Sequence, residues 1–314
     1  MKLAPKILVV FGATGRQGGS VVNYVLNHPE LSRQYKIRAV TRVPPKPAAQ
    51  ALQERGVEVV KADLFDKKSI DAALSGAHTV FANIATSFDE SVYPKEMLQG
   101  KNLADAAVAA GVQYIIYSTL PHTREVSDGK HAHADAFNVK ADIEGYIRSL
   151  PIKSAIFAPS MFYQDFYQMF FVPKRQDDGT FTIFSVVSPD SGIYCFDVVG
   201  DTGKFVGAIL AEPDKFKGKT LCAGADFCTH EEIAEMISKA TGKTVRYKQV
   251  SVDEFDHIIP STHSRITADV MLFLEEHGYF GPEAKERVAW STNHIHDKLT
   301  TFEEFLQKNP LHLE

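Results

Sequence analysis

The sequence predicts an α/β fold, a doubly wound parallel sheet followed by a smaller α+β part. Three observations carry that expectation. An apolar run, Lys6-Ile7-Leu8-Val9-Val10-Phe11, empties into Gly12, Gly15 and Gly18, and a helical pattern follows at once. Strand-like and helix-like segments then alternate to about residue 158, which implies a parallel sheet covered on both faces. From Pro159 the texture changes to shorter, aromatic-rich segments.

The elements follow in order. The first helix is supported by Gly18, Val21, Val22 and Val25, which fall at i, i+3, i+4 and i+7. Lys36–Arg42 reads as a second strand, and Val43-Pro44-Pro45-Lys46-Pro47 breaks regular structure after it. A short helix from Ala48 to Arg55 stops at Gly56; Val57–Ala62 is a third strand running into Asp63-Leu64, and Lys67–Leu74 a helix. Thr79–Ile84 is a fourth strand, Pro94–Ala110 an alanine-rich helix, Gln113–Thr119 a fifth strand, Asp135–Ser149 an amphipathic helix and Ile152–Ala158 a sixth strand. Residues 1–158 are expected to form the nucleotide-holding domain, with 193–217 returning to it; 159–192 and 218–314 are expected to form the smaller one. Phe162, Tyr163, Phe166, Tyr167, Phe170 and Phe171 read either as core or as a pocket wall at the carboxyl end of the sheet. The tail Thr300-Thr301-Phe302-Glu303-Glu304-Phe305-Leu306 looks like a capping box opening a terminal amphipathic helix.

Composition narrows the function classes. The chain has 314 residues, 44% hydrophobic and 23% charged, which is globular rather than disordered or fibrous. A net charge of −5 and no sizeable Lys/Arg run argue against direct nucleic-acid binding through a basic face. No apolar stretch approaches the roughly 18–20 residues of a membrane helix, and Met1-Lys2-Leu3 leads straight into a core strand. Three cysteines without a CxxC pair fit a reducing setting, so a cytoplasmic or nuclear location is expected.

Strand, glycines and helix in that order are the mechanical recipe for holding a pyrophosphate. Glycine turns without Cβ clashes, the backbone approaches the ligand, and the helix N–H groups point at negative charge. Gly12, Ala13, Thr14, Gly15, Arg16, Gln17 and Gly18 are therefore the expected phosphate loop. The GxxGxxG spacing resembles the extended and atypical short-chain dehydrogenase/reductases. NAD-preferring versions of this fold end the second strand with an acidic residue for the ribose hydroxyls. Here Arg42 stands there, with Lys46 four residues on and Arg16 in the loop, a set that favours the 2′-phosphate of NADP(H). Asp63 is placed to take the adenine amino group beside the Leu64 backbone, and Asn83, Ala85 and Thr86 to pass close to ribose and pyrophosphate.

A typical short-chain reductase protonates its product with the Tyr of a YxxxK motif. Here Lys140 stands at the lysine position, but four residues earlier is Ala136, which has no proton to give. Ser118 and Thr119 occupy the neighbourhood of the usual catalytic serine. The bland alternative for Lys140 is a surface lysine paired with Glu144 at i+4.

The segments GATGRQGGSVV, RAVTR, VVKADLFD, EMLQGKNLADAAVAAGV, YIIYST and FNVKADIEGYIR, with Asp197–Gly203 later, resemble the NmrA-like branch of the atypical short-chain dehydrogenase/reductases. The resemblance extends to Gly278-Tyr279-Phe280-Gly281. It implies a Rossmann domain plus a smaller carboxyl-terminal domain with NADP(H) between them, and places Met161, Phe162, Tyr163 and Gln164 near the nicotinamide. Many members act as redox sensors or transcriptional co-regulators through protein partners. Leu98 stands where some relatives have a basic residue. The isoflavone-reductase-like branch also lacks the tyrosine yet reduces substrates with its lysine.

Two functions are therefore expected. In the first, a redox-sensing regulator, the cofactor shifts a loop (Ser87–Met97 or Leu120–Lys130) and so changes affinity for a protein partner. In the second, an NADPH-dependent reductase of a small apolar or aromatic compound, Lys140 orients the nicotinamide and Ser118, Thr119, a nearby histidine or water relays the proton. No metal site is expected, because His131 and His133 diverge if helical and the cysteines lack a histidine at zinc spacing. His131, His133 and His122 remain as candidate proton donors, and His294 and His296 read as ordinary residues.

Overall fold

The computed structural model describes residues 4–86, 91–168, 170–259, 261 and 263–314. The first six strands are β1 (Lys6–Phe11), β2 (Tyr35–Thr41), β3 (Glu58–Lys61), β4 (Thr79–Ala82), β5 (Tyr114–Ser118) and β6 (Lys153–Pro159). Later strands are β7 (Met161–Phe162), β8 (Lys174–Arg175), β9 (Phe181–Ser185), β10 (Gly192–Phe196), β11 (Thr220–Ala223), β12 (Asp226–Thr229) and β13 (Val245–Gln249).

Seven strands form one parallel sheet in the order β11-β6-β5-β4-β1-β2-β3. Alternation along β1 explains its continuous apolar run. Leu8 and Val10 enter the layer under helix Arg16–Asn27, while Val9 and Phe11 enter the opposite layer with Leu74, Leu103, Val139 and Ile143. Strand order reverses between β1 and β4, which opens a crevice at their carboxyl ends.

Two boundaries differ from the sequence reading. Thr220–Ala223, expected in the smaller part, pairs with β6 as the seventh strand of the large sheet. Of residues 193–217, helix Thr202–Ala211 does pack on helix Arg16–Asn27. A Cβ on Gly207 would lie 2.2 Å from the Tyr24 ring, so these helices meet almost backbone to side chain. β10, in contrast, belongs to a small sheet ordered β12-β10-β7, with only Phe196 reaching the layer beneath the large sheet.

The remaining strands form the sheet β13-β9-β8, packed with helices His230–Thr241, Ser264–His277 and Phe302–Lys308. Most of the aromatic run is core: Tyr163, Phe166 and Phe171 are buried with Phe302 and Phe305, and Tyr167 and Phe170 flank them. The terminal helix opens on Thr301, whose hydroxyl accepts from the Glu304 N–H in a capping box. Across the two parts, the buried His131 places Nδ1 2.7 Å from Asp269 and Nε2 3.3 Å from Glu276 on helix Ser264–His277. Among the described residues no helix is long and apolar enough to cross a membrane.

Candidate nucleotide site at the carboxyl edge of the sheet

Gly12 leaves β1 with φ of +70°, a left-handed conformation that favours glycine, and its carbonyl accepts from the Gly15 N–H at 2.9 Å. A Cβ on Gly18 would lie 2.3 Å from the Gly12 oxygen, so only glycine lets the helix fold back on the turn. Helix Arg16–Asn27 begins without a side-chain cap, which leaves its first N–H groups to a ligand at the positive end of the helix dipole.

Neighbouring strands bring their ends to this turn. A Cβ on Gly12 would meet the Asn83 carbonyl oxygen at 3.3 Å, which places the segment after β4 against the glycines. Gln17 bridges to the end of β5, where the Ser118 hydroxyl donates to its side-chain oxygen at 2.7 Å. Arg16 reaches past β6 to Asp165 at 3.4 Å. Burial pushes the Asp165 carboxyl up to about 6, opposed by the Arg16 guanidinium and the Phe162 N–H.

Lys140 is 8% exposed; its Nζ donates to the Ile84 carbonyl at 3.2 Å and to Glu96 Oε2 at 2.6 Å. Glu144 pairs with Arg148 instead, so the surface-lysine alternative is overturned. Burial makes the partner necessary, since an isolated ammonium in the interior is strongly disfavoured. Thr119 donates to the Lys140 carbonyl at 3.3 Å, tying helix Asp135–Ser149 to the end of β5.

At the far side of the crevice Arg42 and Lys46 are both exposed. Asp63 Oδ1 accepts from the Phe65 N–H at 2.9 Å, and the Leu64 carbonyl accepts from Asn102 at 2.9 Å. Ala85 is exposed and Thr86 half-buried. The group expected near the nicotinamide divides. Met161 and Tyr163 turn into the core of the smaller part, where the Tyr163 hydroxyl donates to Asp226, so neither side chain faces the crevice. Gln164 has both ends of its amide engaged, donating to Asp197 at 2.6 Å and accepting from the Val198 N–H at 3.3 Å. Phe162 packs under the large sheet against Phe196.

Sequence reading missed Glu96 and Asp165. A signal for Glu96 existed: it sits in register with the buried positions Gly100, Leu103, Ala104 and Ala107, a carboxylate on an otherwise apolar stripe. Asp165 lay inside an aromatic run and carried no such mark. Three of the histidines named above sit in structural contacts. His131 is held between carboxylates of another helix, His294 Nδ1 lies 2.7 Å from the Trp290 carbonyl, and His122 caps helix Thr123–Val126. His122 also stands near carboxylates of Glu125 and Asp142, at 3.8 and 3.6 Å. Its Nδ1 accepts the Glu125 N–H at 3.2 Å.

Of the two segments expected to move, residues 87–90 lie outside the described residues, and Val92–Met97 opens helix Val92–Ala109. Leu120–Lys130 contains the short helix Thr123–Val126, fixed by the Thr123 hydroxyl and the Arg124 N–H on Asn138 Oδ1 at 3.0 and 3.2 Å.

A doubly wound sheet with a glycine turn, an uncapped helix and a buried lysine at its switch point defines the class of dinucleotide-fold proteins. The chain belongs to the NmrA-like family, which it matches over residues 4–306. It is 31% identical over 306 residues to the NmrA-like family domain-containing oxidoreductase FrzB of Cladobotryum sp, covering 89% of this chain and 88% of that protein. An NmrA-like family domain-containing protein of Dictyostelium discoideum is 29% identical over 310 residues, covering 96% and 97%. Among solved structures, NmrA, a negative transcriptional regulator in complex with NADP, superposes with a TM-score of 0.80 at 22% identity, covering 98% of this chain and 96% of that one. Citrobacter sp. triphenylmethane reductase complexed with NADP(H) gives 0.77 at 20% identity, covering 96% and 99%.

Proposed function

We propose that the protein binds NADP(H) at this edge and acts as a redox-sensing regulator through a protein partner. Residues 1–158 would hold the nucleotide, and the smaller part would supply a partner or substrate face. The observation that carries the reading is the cradle itself: a left-handed turn at Gly12 and, in the first turn of the helix after it, Gly18, where a Cβ would lie 2.3 Å from the Gly12 oxygen. Gly12–Gly18 would hold the pyrophosphate, Arg42 and Lys46 the 2′-phosphate, Asp63 the adenine, and Lys140 the nicotinamide ribose. When bound, a nicotinamide dinucleotide supplies hydride exchange.

The chain's own residues favour sensing. Position 136 is alanine, and the Ser118 hydroxyl already donates its hydrogen to Gln17. Structural relatives support either dinucleotide, since NmrA has been solved with NAD as well as with NADP. The exposed Arg42 is what favours the phosphorylated form. Titrating NADPH and NADH against the protein and Arg42→Ala tests this. Loss of one guanidinium–phosphate contact should lower the NADPH preference by about tenfold, and tighter NADH binding by the unaltered protein would overturn the assignment. Co-precipitation in the presence of each redox form tests the regulator, and no partner in either form counts against it.

A second reading is favoured by the names of several relatives, among them FrzB and the cpsB protein of Aspergillus campestris, both called oxidoreductases. In it the protein reduces a small apolar or aromatic compound without a tyrosine, and Lys140 orients the nicotinamide. NADPH consumption with carbonyl, quinone and enone compounds decides. Turnover abolished in Lys140→Ala while NADPH still binds would favour the reductase.

A further inference from the structure

We propose that Glu96 sets the relative affinity of the protein for oxidised and reduced nicotinamide by balancing the charge of Lys140. The inference rests on the dinucleotide reading above and concerns the role of one carboxylate within that site.

The pair is built by helix packing. Helices Val92–Ala109 and Asp135–Ser149 follow successive parallel strands, β4 and β5, and so run in the same direction. They meet so closely that a Cβ on Gly100 would lie 2.6 Å from Ile143 Cγ1. About one turn toward the amino end of each helix lie Glu96 and Lys140, four and three residues earlier. Their separation of 2.6 Å is thus fixed by the backbone approach at Gly100. Glu96 is 1% exposed, so the pair is screened little by salt.

The ammonium also stands at the crevice. It donates to the Ile84 carbonyl, and the preceding residue, Asn83, abuts the Gly12 turn. An oxidised nicotinamide ring carries one positive charge and the reduced ring none. A lone buried ammonium beside the ring would repel the oxidised form and leave the reduced form untouched. Glu96 cancels that repulsion and keeps the oxidised form competitive. With the two affinities kept comparable, occupancy of the site follows the ratio of the oxidised to the reduced form in solution.

The test measures dissociation constants for NADP⁺ and NADPH at pH 7 by calorimetry, with melting temperature as the folding control. Glu96→Gln should weaken NADP⁺ relative to NADPH by about tenfold, equivalent to about 1.4 kcal/mol. Glu96→Asp, which withdraws the carboxylate by one methylene, should shift the ratio the same way by about twofold, and serves if the glutamine variant does not fold. Glu96→Gln combined with Lys140→Met removes both charges and should weaken both forms alike through loss of the ribose contact, with the ratio back within about twofold of the unaltered protein; the outcomes that overturn the inference are read in the single Glu96 variants. Equal weakening of both forms, or an unchanged ratio in the single variants, overturns the inference and leaves the cofactor reading standing. Failure of the unaltered protein to take up either form overturns the cofactor reading and this inference with it.

Discussion

The carboxyl edge of the large sheet and the core of the smaller part are both buried, yet they bury different chemistry. At the edge the hidden groups are polar and paired over long sequence distances: Lys140 with Glu96, Ser118 with Gln17, Thr119 with the Lys140 carbonyl. In the smaller part the hidden groups are rings. Tyr163 lies 5.0 Å from Phe302 and 5.4 Å from Phe305 between centroids, and Phe166 lies 5.4 Å from Phe302. Aromatic packing gains area and edge contacts and contributes to stability wherever it occurs. Buried ion pairs add little net stability over apolar replacements, so a paired edge points to a demand on position.

Three experiments press on that contrast. Phe302→Ala should be the largest, destabilising the fold by about 3–5 kcal/mol through cavity formation. Urea unfolding reads the loss, and NADPH affinity below the transition should stay within about twofold of normal, because the crevice lies on another core. A parallel collapse of affinity would erase the contrast. Gly18→Ala comes next: a methyl 2.3 Å from the Gly12 oxygen forces the turn open. Overpacking costs about 1–3 kcal/mol, and here it should fall on nucleotide binding, with affinity reduced at least about tenfold in fluorescence titration.

Asp165→Asn should be the smallest effect. The folded Asp165 carboxyl is raised to about 6, so the native state holds its proton to higher pH than the unfolded chain does. Its contribution is therefore fully favourable at acid pH, below the ordinary carboxylate range, and is lost as pH rises toward 6. With 33% of the side chain exposed, solvent blunts the effect. Melting temperatures across that interval should fall for the unaltered protein relative to Asp165→Asn, and parallel curves would remove Asp165 from the account.

Much of this was legible in the sequence because the signals are local. β1, its glycines and the helix after them announce themselves within two dozen residues, and the alternation of strands and helices fixed the parallel sheet. Lys140 could be placed from its spacing to Ala136, but its partner could not, because Glu96 lies 44 residues away and only the approach at Gly100 joins them. Thr220–Ala223 is four residues long and carries no periodicity, so only pairing with β6 reveals it as part of the large sheet. The aromatic run was ambiguous for a related reason: composition shows that Tyr163 and Phe166 are apolar, not which side of the chain receives them.

Helix Arg16–Asn27 rests against Tyr24's neighbours on a helix made far later, with the Gly203 N–H donating to the Ser20 hydroxyl across 183 residues of chain. On the ribosome the glycine turn and its helix are therefore among the first segments to emerge and among the last to be braced. Until Thr202–Ala211 has cleared the exit tunnel, one flank of that helix, Val21 and Val25 included, has no cover from Phe205, Val206 and Ile209. On the proposed dinucleotide reading, capture would be a late event of biosynthesis, and a nascent chain stalled before residue 202 should emerge without it.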